Sequence, residues 1–304
     1  MSNRIVKLLK NPYKAFVYLG YKGYLNKLND KTYLKLIFRG MTGKKLDLKN
    51  PQTFDEKLQW LKLYDRKPEY TMMVDKYAVR EYIAKTIGEE YLIPLLGVWD
   101  SPEEIDFDAL PDRFVMKCNH NSGKGMIICK DKSKLDVELA KKKLSEGLAE
   151  DYYLTSREWP YKNVRRKIIA EKYMEDNETK ELRDYKFFCF DGEAKALYIT
   201  TEWKGAETEG KMDFFDINFN HLDIRRKYPN ADVPPEKPKN FDEMRRLAEK
   251  LSQNILHLRV DFYEVNGKTY FGELTFTTGA GFATFEQEEW EKTFGDWIKL
   301  PEAN

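Results

Sequence analysis

A hairpin signal near the end of the chain constrains the fold more than any other sequence feature. Two β-rich runs, residues 257–265 and 268–276, are separated only by Asn266 and Gly267. Asn-Gly between two such runs is typical of a two-residue turn joining antiparallel strands. The chain therefore builds at least part of its core from an antiparallel sheet.

The same organisation recurs upstream. Residues 186–190 and 194–201 form a second strand pair around Asp191 and Gly192. Further strands are predicted over residues 113–120, 126–129 and 166–174. Helices are predicted behind a capping box at 53–56, over 74–87 with an end at Gly88, near 137–148, and over 241–256. Adjacent strand pairs with separate helices indicate an α+β fold with antiparallel sheets, not a doubly wound parallel sheet.

Composition points to a folded cytoplasmic protein. Cys118, Cys129 and Cys189 are odd in number, widely spaced and set in apolar runs, which favours buried free thiols over disulfides or a zinc site. No apolar stretch approaches the roughly 18 residues of a membrane span. Residues 1–10 lack the apolar core of a signal peptide.

The charges are unevenly distributed. Residues 1–50 carry 12 Lys or Arg against 2 Asp or Glu, whereas residues 51–304 carry 40 against 49. A basic leader rich in tyrosine could lie on anionic lipid or on an anionic polymer. It could equally be a helical layer packed on the core with a solvated basic face, and we favour this interpretation. Nucleic-acid binding is disfavoured because the rest of the chain is net acidic.

The first candidate for chemistry is Lys117, followed by a glycine-containing loop at 121–125. Lys117 lies in an apolar strand, where an ammonium group needs a partner. The loop lies between strands and lacks the Walker A pattern, so it would close over phosphates as a flap whose glycines let backbone N–H groups approach an anion. The alternative is an ordinary hairpin whose lysine reaches solvent.

Two further strands carry candidate contacts. One runs through Glu171 and turns acidic at Asp176 and Glu178, so its backbone could hold adenine and a carboxylate could hold ribose. Any edge strand that enters a polar loop would look similar. In the other, Lys186 shares a face with Asp184, and could either pair with it or hold a phosphate.

The C-terminal hairpin carries the sharpest candidate, the carboxylates of Asp261 and Glu273. Rigidly held carboxylate oxygens suit Mg²⁺ ions that bridge ATP phosphates. A regular two-residue turn, however, pairs Asp261 with Gly272 and directs Glu273 to the opposite face. A metal site therefore requires an odd-length loop or a bulge here, with Gly267 in the left-handed conformation, against the simplest interpretation of Asn-Gly.

Together these motifs follow the order found in ATP-grasp enzymes. The longest matching phrases are residues 51–57, 74–80, 114–123, 183–192 and 272–276. Over roughly residues 30–295 the chain resembles the teichuronopeptide-type (TupA-like) ATP-grasp proteins of bacterial surface-polysaccharide clusters. The resemblance implies two lobes with antiparallel sheets that clasp ATP. We expect a basic helical leader over 1–50, a helical pre-ATP-grasp region over 51–112, a small lobe with the glycine flap over 113–175, and a C-terminal lobe with the metal site over 176–304.

The resemblance also implies roles for individual residues. Lys117 and Lys186 would contact ATP phosphates, and Ser122, Gly123, Lys124 and Gly125 would form the flap. Glu171, Lys172, Tyr173 and Met174 would hold adenine, with Asp176 or Glu178 on the ribose. Asp261 and Glu273 would bind Mg²⁺, joined by Thr275, which stands where many ATP-grasp enzymes carry Asn. Because a hydroxyl is a poorer ligand than an amide carbonyl, that coordination could be lost or taken by water. Arg259 would hold the incoming carboxylate or the acyl phosphate.

These roles imply an ATP-dependent ligase. It would phosphorylate the carboxylate of a sugar uronate or an amino acid, which could be lipid-linked, and join it to an amine during surface-polysaccharide biosynthesis. The alternative is a glycosyltransferase that uses a sugar nucleotide, suggested by Asp106 and Asp108 flanking Phe107. Such a three-residue match is common by chance. A catalytically inactive partner protein is a third interpretation, against which Asp261 and Glu273 argue.

Overall fold

The N-terminal part of the molecule is a layer of helices. The computed structural model describes residues 12–201 and 210–301. The first helices are α1 (Lys14–Tyr21), α2 (Asp30–Thr42) and α3 (Phe54–Tyr64). The capping box is present: the Thr53 hydroxyl accepts a hydrogen bond from the N–H of Glu56, whose carboxylate accepts one from the N–H of Thr53. Helix α2 buries Tyr33, Leu34 and Phe38, so this part of the leader packs as a layer. Residues 1–11 of the leader lie outside the described residues.

The single helix predicted over residues 74–87 is wrong. The structure has two helices there, α4 (Glu69–Val74) and α5 (Val79–Thr86). Between them, the Asp75 carboxylate accepts hydrogen bonds from the N–H groups of Tyr77 at 2.8 Å and Ala78 at 3.1 Å. An aspartate side chain that bonds to the following backbone offers an alternative to the helical ladder, which explains the break.

The first sheet contains four antiparallel strands in the order β1-β4-β2-β3. They are β1 (Leu95–Trp99), β2 (Phe114–Cys118), β3 (Ile127–Cys129) and β4 (Ile168–Lys172), with helices α6 (Val137–Leu148) and α7 (Tyr152–Ser156) between β3 and β4. Phe114, Met116 and Leu144 form part of the core on one face. Strand β1 was not predicted, because it lies in a segment interpreted as helical.

The second sheet contains six antiparallel strands in the order β10-β9-β5-β6-β7-β8. They are β5 (Asp184–Phe190), β6 (Glu193–Thr201), β7 (Lys211–Asp216), β8 (His221–Leu222), β9 (Leu258–Val265) and β10 (Lys268–Thr275). Helix α8 (Phe241–Leu251) lies between β8 and β9, and helix α9 (Glu288–Trp297) follows β10. Phe187 and Phe262 pack with Phe241 of α8 on one face. Phe188 packs with Phe54 of α3 on the other. The α+β class with antiparallel sheets is confirmed.

The β9–β10 hairpin combines a regular turn with a bulge further along. Val265 pairs with Lys268 across a two-residue turn, so of the two arrangements that a metal site allowed, the odd-length loop is not the one formed. The register then shifts between Phe271 and Glu273, which leaves Gly272 as the bulged residue and places Glu273 opposite Asp261. The required bulge therefore exists, five residues beyond Gly267.

None of the helices in the described ranges combines the length and apolar character needed to cross a membrane. Cys118, Cys129 and Cys189 are all free and buried, as expected from their apolar surroundings.

Candidate active site

The centre of the site is a guanidinium held between two carboxylates on the β9–β10 hairpin. Arg259 donates from Nε to Asp261 Oδ1 at 2.7 Å, and from Nη2 to Asp261 Oδ2 at 2.7 Å and Glu273 Oε1 at 2.6 Å. Burial would lower the pKa of Arg259, but Asp261, Tyr198 and Glu273 hold it well above its usual range. The bulge at Gly272 thus brings both predicted metal carboxylates to one face.

Lys186 adds a second cation from the neighbouring strand. It pairs in register with Asp261, and its Nζ lies 2.5 Å from Asp261 Oδ2 while also contacting Asp184. Burial alone would lower the pKa of Lys186, but the two carboxylates hold it well above its usual range. Both sequence interpretations of Lys186 remain compatible with this geometry, since it pairs with Asp184 and also lies at the carboxylate cluster.

Glu273 is the most accessible carboxylate of the cluster. Its side chain is 40% exposed, against 1% for Asp261. The Thr275 hydroxyl donates to Glu273 Oε1 at 2.9 Å. Burial would raise the pKa of Glu273, but Arg259, Lys186 and Lys76 lower it to about 2. Glu273 is therefore ionised at neutral pH and can accept a further cation.

The donor set suits Mg²⁺ shared with a phosphate ligand. Among residues 12–201 and 210–301, no group of three or more Asp, Glu, His or Cys side chains is placed to enclose a metal ion. Mg²⁺ commonly takes one or two carboxylates and completes its shell with waters and substrate phosphates. Asp261 and Glu273 would supply such a pair once Arg259 and Lys186 release an oxygen of Asp261, and their role as ligands stays a prediction. Thr275 lies on the same face, and its role as a ligand stays a prediction.

Lys117 approaches the hairpin from the first sheet. Its Nζ lies 2.6 Å from Glu171 Oε2, and Arg80 Nη1 lies 3.4 Å from Glu171 Oε1. Lys117 and Glu171 line a small enclosed pocket together with Tyr263 and Gly272 of the hairpin. The polar face of one sheet therefore meets the bulge of the other.

Lys76 is a site residue for which the sequence predicted no role. Its Nζ donates to the carbonyl of Asn121 at 2.7 Å, at the start of the glycine loop. Lys76 lines the same pocket as Lys117, and burial lowers its pKa although Glu273 acts to raise it. The signal was available in the phrase 74–80, where Asp75 and Lys76 interrupt a helical pattern.

The glycine loop has a fixed base and an exposed tip. Gly123 and Gly125 have φ values of +88° and +80°, a region that favours glycine. The Asn121 side chain donates to the carbonyls of Lys124 and Gly147, which attaches the loop to α6. Ser122, Gly123 and Lys124 are exposed. Their contact with phosphates stays a prediction.

Lys172 at the end of β4 and the two residues after it differ in exposure and contacts. Lys172 is exposed, Met174 is half-buried, and Tyr173 lies with its ring centroid 4.2 Å from the Arg113 guanidinium carbon. Their contact with adenine stays a prediction.

Asp176 and Glu178 are not brought to Lys117. The Asp176 carboxylate accepts hydrogen bonds from the N–H groups of Glu178, Thr179 and Asn266, and the bonds from Thr179 and Asn266 are the main reason that its pKa falls to about 2. Both acidic residues line a separate surface pocket with Lys239. The role of Asp176 or Glu178 on the ribose stays a prediction.

A larger pocket lies beside the carboxylate cluster. Its volume is about 450 Å³, and its walls include Ser122 of the glycine loop, Asp184, Arg259 and Thr278. Thr278 begins the 3₁₀ turn Thr278–Gly281. This turn is held by α3, since Lys62 donates to the carbonyl of Ala280 at 2.6 Å.

Sequence comparison settles the family. A family model described as TupA-like ATPgrasp matches residues 56–299. The chain belongs to the TupA-like ATP-grasp family. It is an ATP-dependent ligase, and its two antiparallel sheets are those of the ATP-grasp fold. The matched range of this ATP-grasp ligase contains every predicted ATP and metal residue.

Solved structures with similar folds are distant in sequence. The D-alanine–D-alanine ligase of Helicobacter pylori is 13% identical, with a TM-score of 0.45 over 81% of this chain and 69% of that one. The Bacillus anthracis D-alanine–D-alanine ligase is 15% identical, with a TM-score of 0.42 over 75% of this chain and 66% of that one. The D-cycloserine synthetase DcsG is 15% identical, with a TM-score of 0.42 over 76% of this chain and 71% of that one. No curated protein matches the ATP-grasp ligase in sequence.

Proposed function

We propose that this ATP-grasp ligase uses Mg·ATP to phosphorylate a carboxylate and then joins the acyl phosphate to an amine. The observation that carries the proposal is the bulge at Gly272, which aligns Asp261 and Glu273 on one face with Arg259 between them. This cluster lies between the pocket of Lys117 and the 450 Å³ pocket. ATP phosphates would lie against Lys117 at the edge of the first pocket, and the acceptor would occupy the second.

The charged side chains would act by positioning and neutralisation. Lys117, Lys76 and Lys186 would bind phosphate oxygens, and Arg259 would orient the acceptor carboxylate. Mg²⁺ held by Asp261 and Glu273 would neutralise charge on the transferred phosphoryl group. The carboxylate oxygen attacks the γ-phosphorus and ADP leaves, after which the amine nitrogen attacks the acyl carbon, loses a proton, and inorganic phosphate leaves.

Asp184 would take the proton that the amine loses. It lines the larger pocket, and its Oδ1 has no hydrogen-bond partner in the part of the chain that the structure describes. Burial raises the pKa of Asp184 to about 6 despite the attraction of Lys186. A carboxylate with a raised pKa is a better proton acceptor near neutral pH than an exposed one.

The family suggests the acceptor and the setting. We propose a sugar uronate or an amino acid as the carboxylate substrate, in capsule or teichuronopeptide-like polysaccharide biosynthesis, inside the cytoplasm where ATP is supplied. The leader offers a surface for peripheral membrane contact, because Lys31, Lys35, Lys45 and Lys49 surround a surface pocket of about 610 Å³. Co-sedimentation with anionic vesicles, reversed by salt, is expected from such contact. Equal sedimentation with neutral vesicles would contradict it.

The structure gives no support to the glycosyltransferase alternative. The Asp106 carboxylate accepts hydrogen bonds from the N–H groups of Asp108 and Ala109, so it closes its own turn. Phe107 is buried in the core of the first sheet. This segment is accounted for as a structural turn.

Trapping the acyl phosphate tests the proposal. Hydroxylamine intercepts acyl phosphates as hydroxamates, so the protein is incubated with Mg·ATP, hydroxylamine and panels of uronates and amino acids. We expect hydroxamate and phosphate release with at least one carboxylate. Glu273→Gln should lower turnover by about 10²–10³ and keep the fold, whereas Glu193→Gln, at an exposed position, should not. Tight binding of a sugar nucleotide without ATP binding would overturn the proposal.

A further inference from the structure

The pocket beside Arg259 is larger than a simple carboxylate needs. Its volume of about 450 Å³ falls within the range of sites for small ligands. Its lining includes Arg259, Asp184 and Tyr198 of the second sheet, and the Arg259 guanidinium carbon lies 6.0 Å from the Tyr198 ring centroid. Lys227 and Tyr228, which follow β8, line the same pocket. An acceptor whose carboxylate lies on Arg259 therefore shares this pocket with Lys227.

Lys227 is held in a backbone conformation that lysine rarely adopts. Its φ is +68°, and the N–H of Tyr228 donates to the carbonyl of Arg226 at 2.8 Å, closing a three-residue turn around it. A residue other than glycine at positive φ costs free energy, and such strain is concentrated at functional sites. The turn sets the Lys227 side chain at the pocket wall, with Nζ 4.7 Å from the ring centroid of Tyr228.

Lys227 has no ion-pair partner in the part of the chain that the structure describes. Within residues 12–201 and 210–301, no carboxylate oxygen lies within 4 Å of its Nζ, which lies over the Tyr228 ring instead. Its neighbour Arg226 differs: it is buried, donates to the carbonyls of Ala283 and Thr278, and lies 3.7 Å from Asp55. Arg226 therefore serves the fold, whereas Lys227 presents an exposed cation to the pocket.

Resting on the proposed function, we propose that Lys227 binds a second anionic group of the acceptor. The ligase then selects acceptors that carry the carboxylate to be activated and, at the far end, a further carboxylate or phosphate. Tyr198 and Tyr228 would flank the part of the acceptor between them with apolar ring surface. Monoanionic acceptors would lose one charge-assisted contact and bind more weakly.

Matched acceptor pairs test the proposal and separate the two sources of the second charge. The phosphate arm compares glucuronic acid 1-phosphate with glucuronic acid, and the carboxylate arm compares glutamate with glutamine. Binding is measured by calorimetry with Mg²⁺ and a non-hydrolysable ATP analogue, and turnover by hydroxamate formation. We expect the wild type to bind glucuronic acid 1-phosphate more tightly than glucuronic acid, or glutamate more tightly than glutamine, by about tenfold or more.

Three variants locate that preference. Lys227→Met removes the charge and keeps the length, Lys227→Gly removes the side chain and relieves the strain, and Lys250→Met at an exposed position on α8 is the control. We expect both Lys227 variants to lose the preference through KM, with kcat and the KM for ATP unchanged. A wild type without preference, or variants that weaken both members of a pair equally, would overturn the proposal.

The outcome separates this inference from the function on which it rests. If the protein binds a dianionic probe through Lys227 but forms no hydroxamate, the ligase chemistry fails and the anion site stands. If hydroxamate forms and the Lys227 variants do not change selectivity, the ligase chemistry stands and the anion site fails.

Discussion

His257 lies at the entry to β9, two residues before Arg259. It is 1% exposed, its ring stacks on Phe190 with centroids 4.8 Å apart, and its Nδ1 hydrogen-bonds with the carbonyl of Cys189 at 3.1 Å. Burial lowers the pKa of His257 to about 3. The imidazole is therefore neutral in the folded protein at every pH where the enzyme is expected to work.

His257 predicts a pH dependence of stability. Because its pKa is lower in the folded than in the unfolded state, its contribution is complete above about pH 6.5 and is lost as pH falls toward 3. Between pH 7 and pH 5 we expect the wild type to lose about 2 kcal/mol more unfolding free energy than His257→Phe. Urea denaturation at the two pH values measures this difference. Parallel losses in both proteins would contradict it.

Single residues could be predicted where a charged side chain stands in an otherwise apolar strand. Lys117, Lys186 and Arg259 are cations in apolar strands, and the structure places each beside a carboxylate. Lys76 was missed because the residue pattern predicts one continuous helix over 74–87, where a lysine is an ordinary exposed residue. The backbone N–H groups that bond to the Asp176 carboxylate leave no trace in the residue pattern. The role of Asp176 or Glu178 on the ribose stays a prediction.

At the scale of elements, the bulge at Gly272 decides whether the site exists. A Cβ at this position would lie 3.0 Å from the carbonyl oxygen of Asp261 and 3.2 Å from the ring of Tyr263. A side chain here therefore pushes β10 away from β9 at the level of the two carboxylates.

We expect Gly272→Ala to raise the Mg²⁺ concentration needed for half-maximal activity about tenfold, because the spacing between Asp261 and Glu273 changes. Gly267→Ala is the matched control. It strains the turn, where φ is +72°, and should cost about 1 kcal/mol of stability without changing the Mg²⁺ requirement. Magnesium titrations and urea denaturation of both variants check this. An unchanged Mg²⁺ requirement in Gly272→Ala would show that the register has no bearing on the metal.

Elements stabilised by local contacts were predictable. The capping box at Thr53 and the hairpin turn at Asn266 depend on residues next to them in the sequence. Strand β1 was not, because it pairs with β4 about 70 residues later, with a register shift between Leu95 and Gly97. The bulge was required by the chemistry, but its position depends on how Gly272 packs against Asp261.

At the scale of the whole molecule, the ATP-grasp ligase divides its charges between two sheets. Lys117 belongs to the first sheet and the carboxylate cluster to the second. We expect Lys117→Ala to weaken Mg·ATP binding by at least about tenfold. The variant removes a cation that would contact the phosphates, and it leaves the negative charge of Glu171 with one cation fewer beside it. Isothermal calorimetry measures the change. Lys142→Ala, at an exposed position on α6, should bind Mg·ATP normally, and equal losses in the two variants would point to a general charge effect.

The two halves of the site are expected to form at different stages of folding. Arg259, Asp261, Glu273 and Thr275 lie within one stretch of 17 residues, whereas Lys117 meets Glu171 across 54 positions. Short loops close at lower entropic cost, so local pairings form early and distant ones later. Pulsed hydrogen exchange during refolding should therefore show β9–β10 amides protected before those of β1, and simultaneous protection would argue against this order. If β9 and β10 paired without the bulge at Gly272, the strand order would still be native, but Asp261 and Glu273 would lie on opposite faces of the hairpin. Such a protein would be folded and inactive.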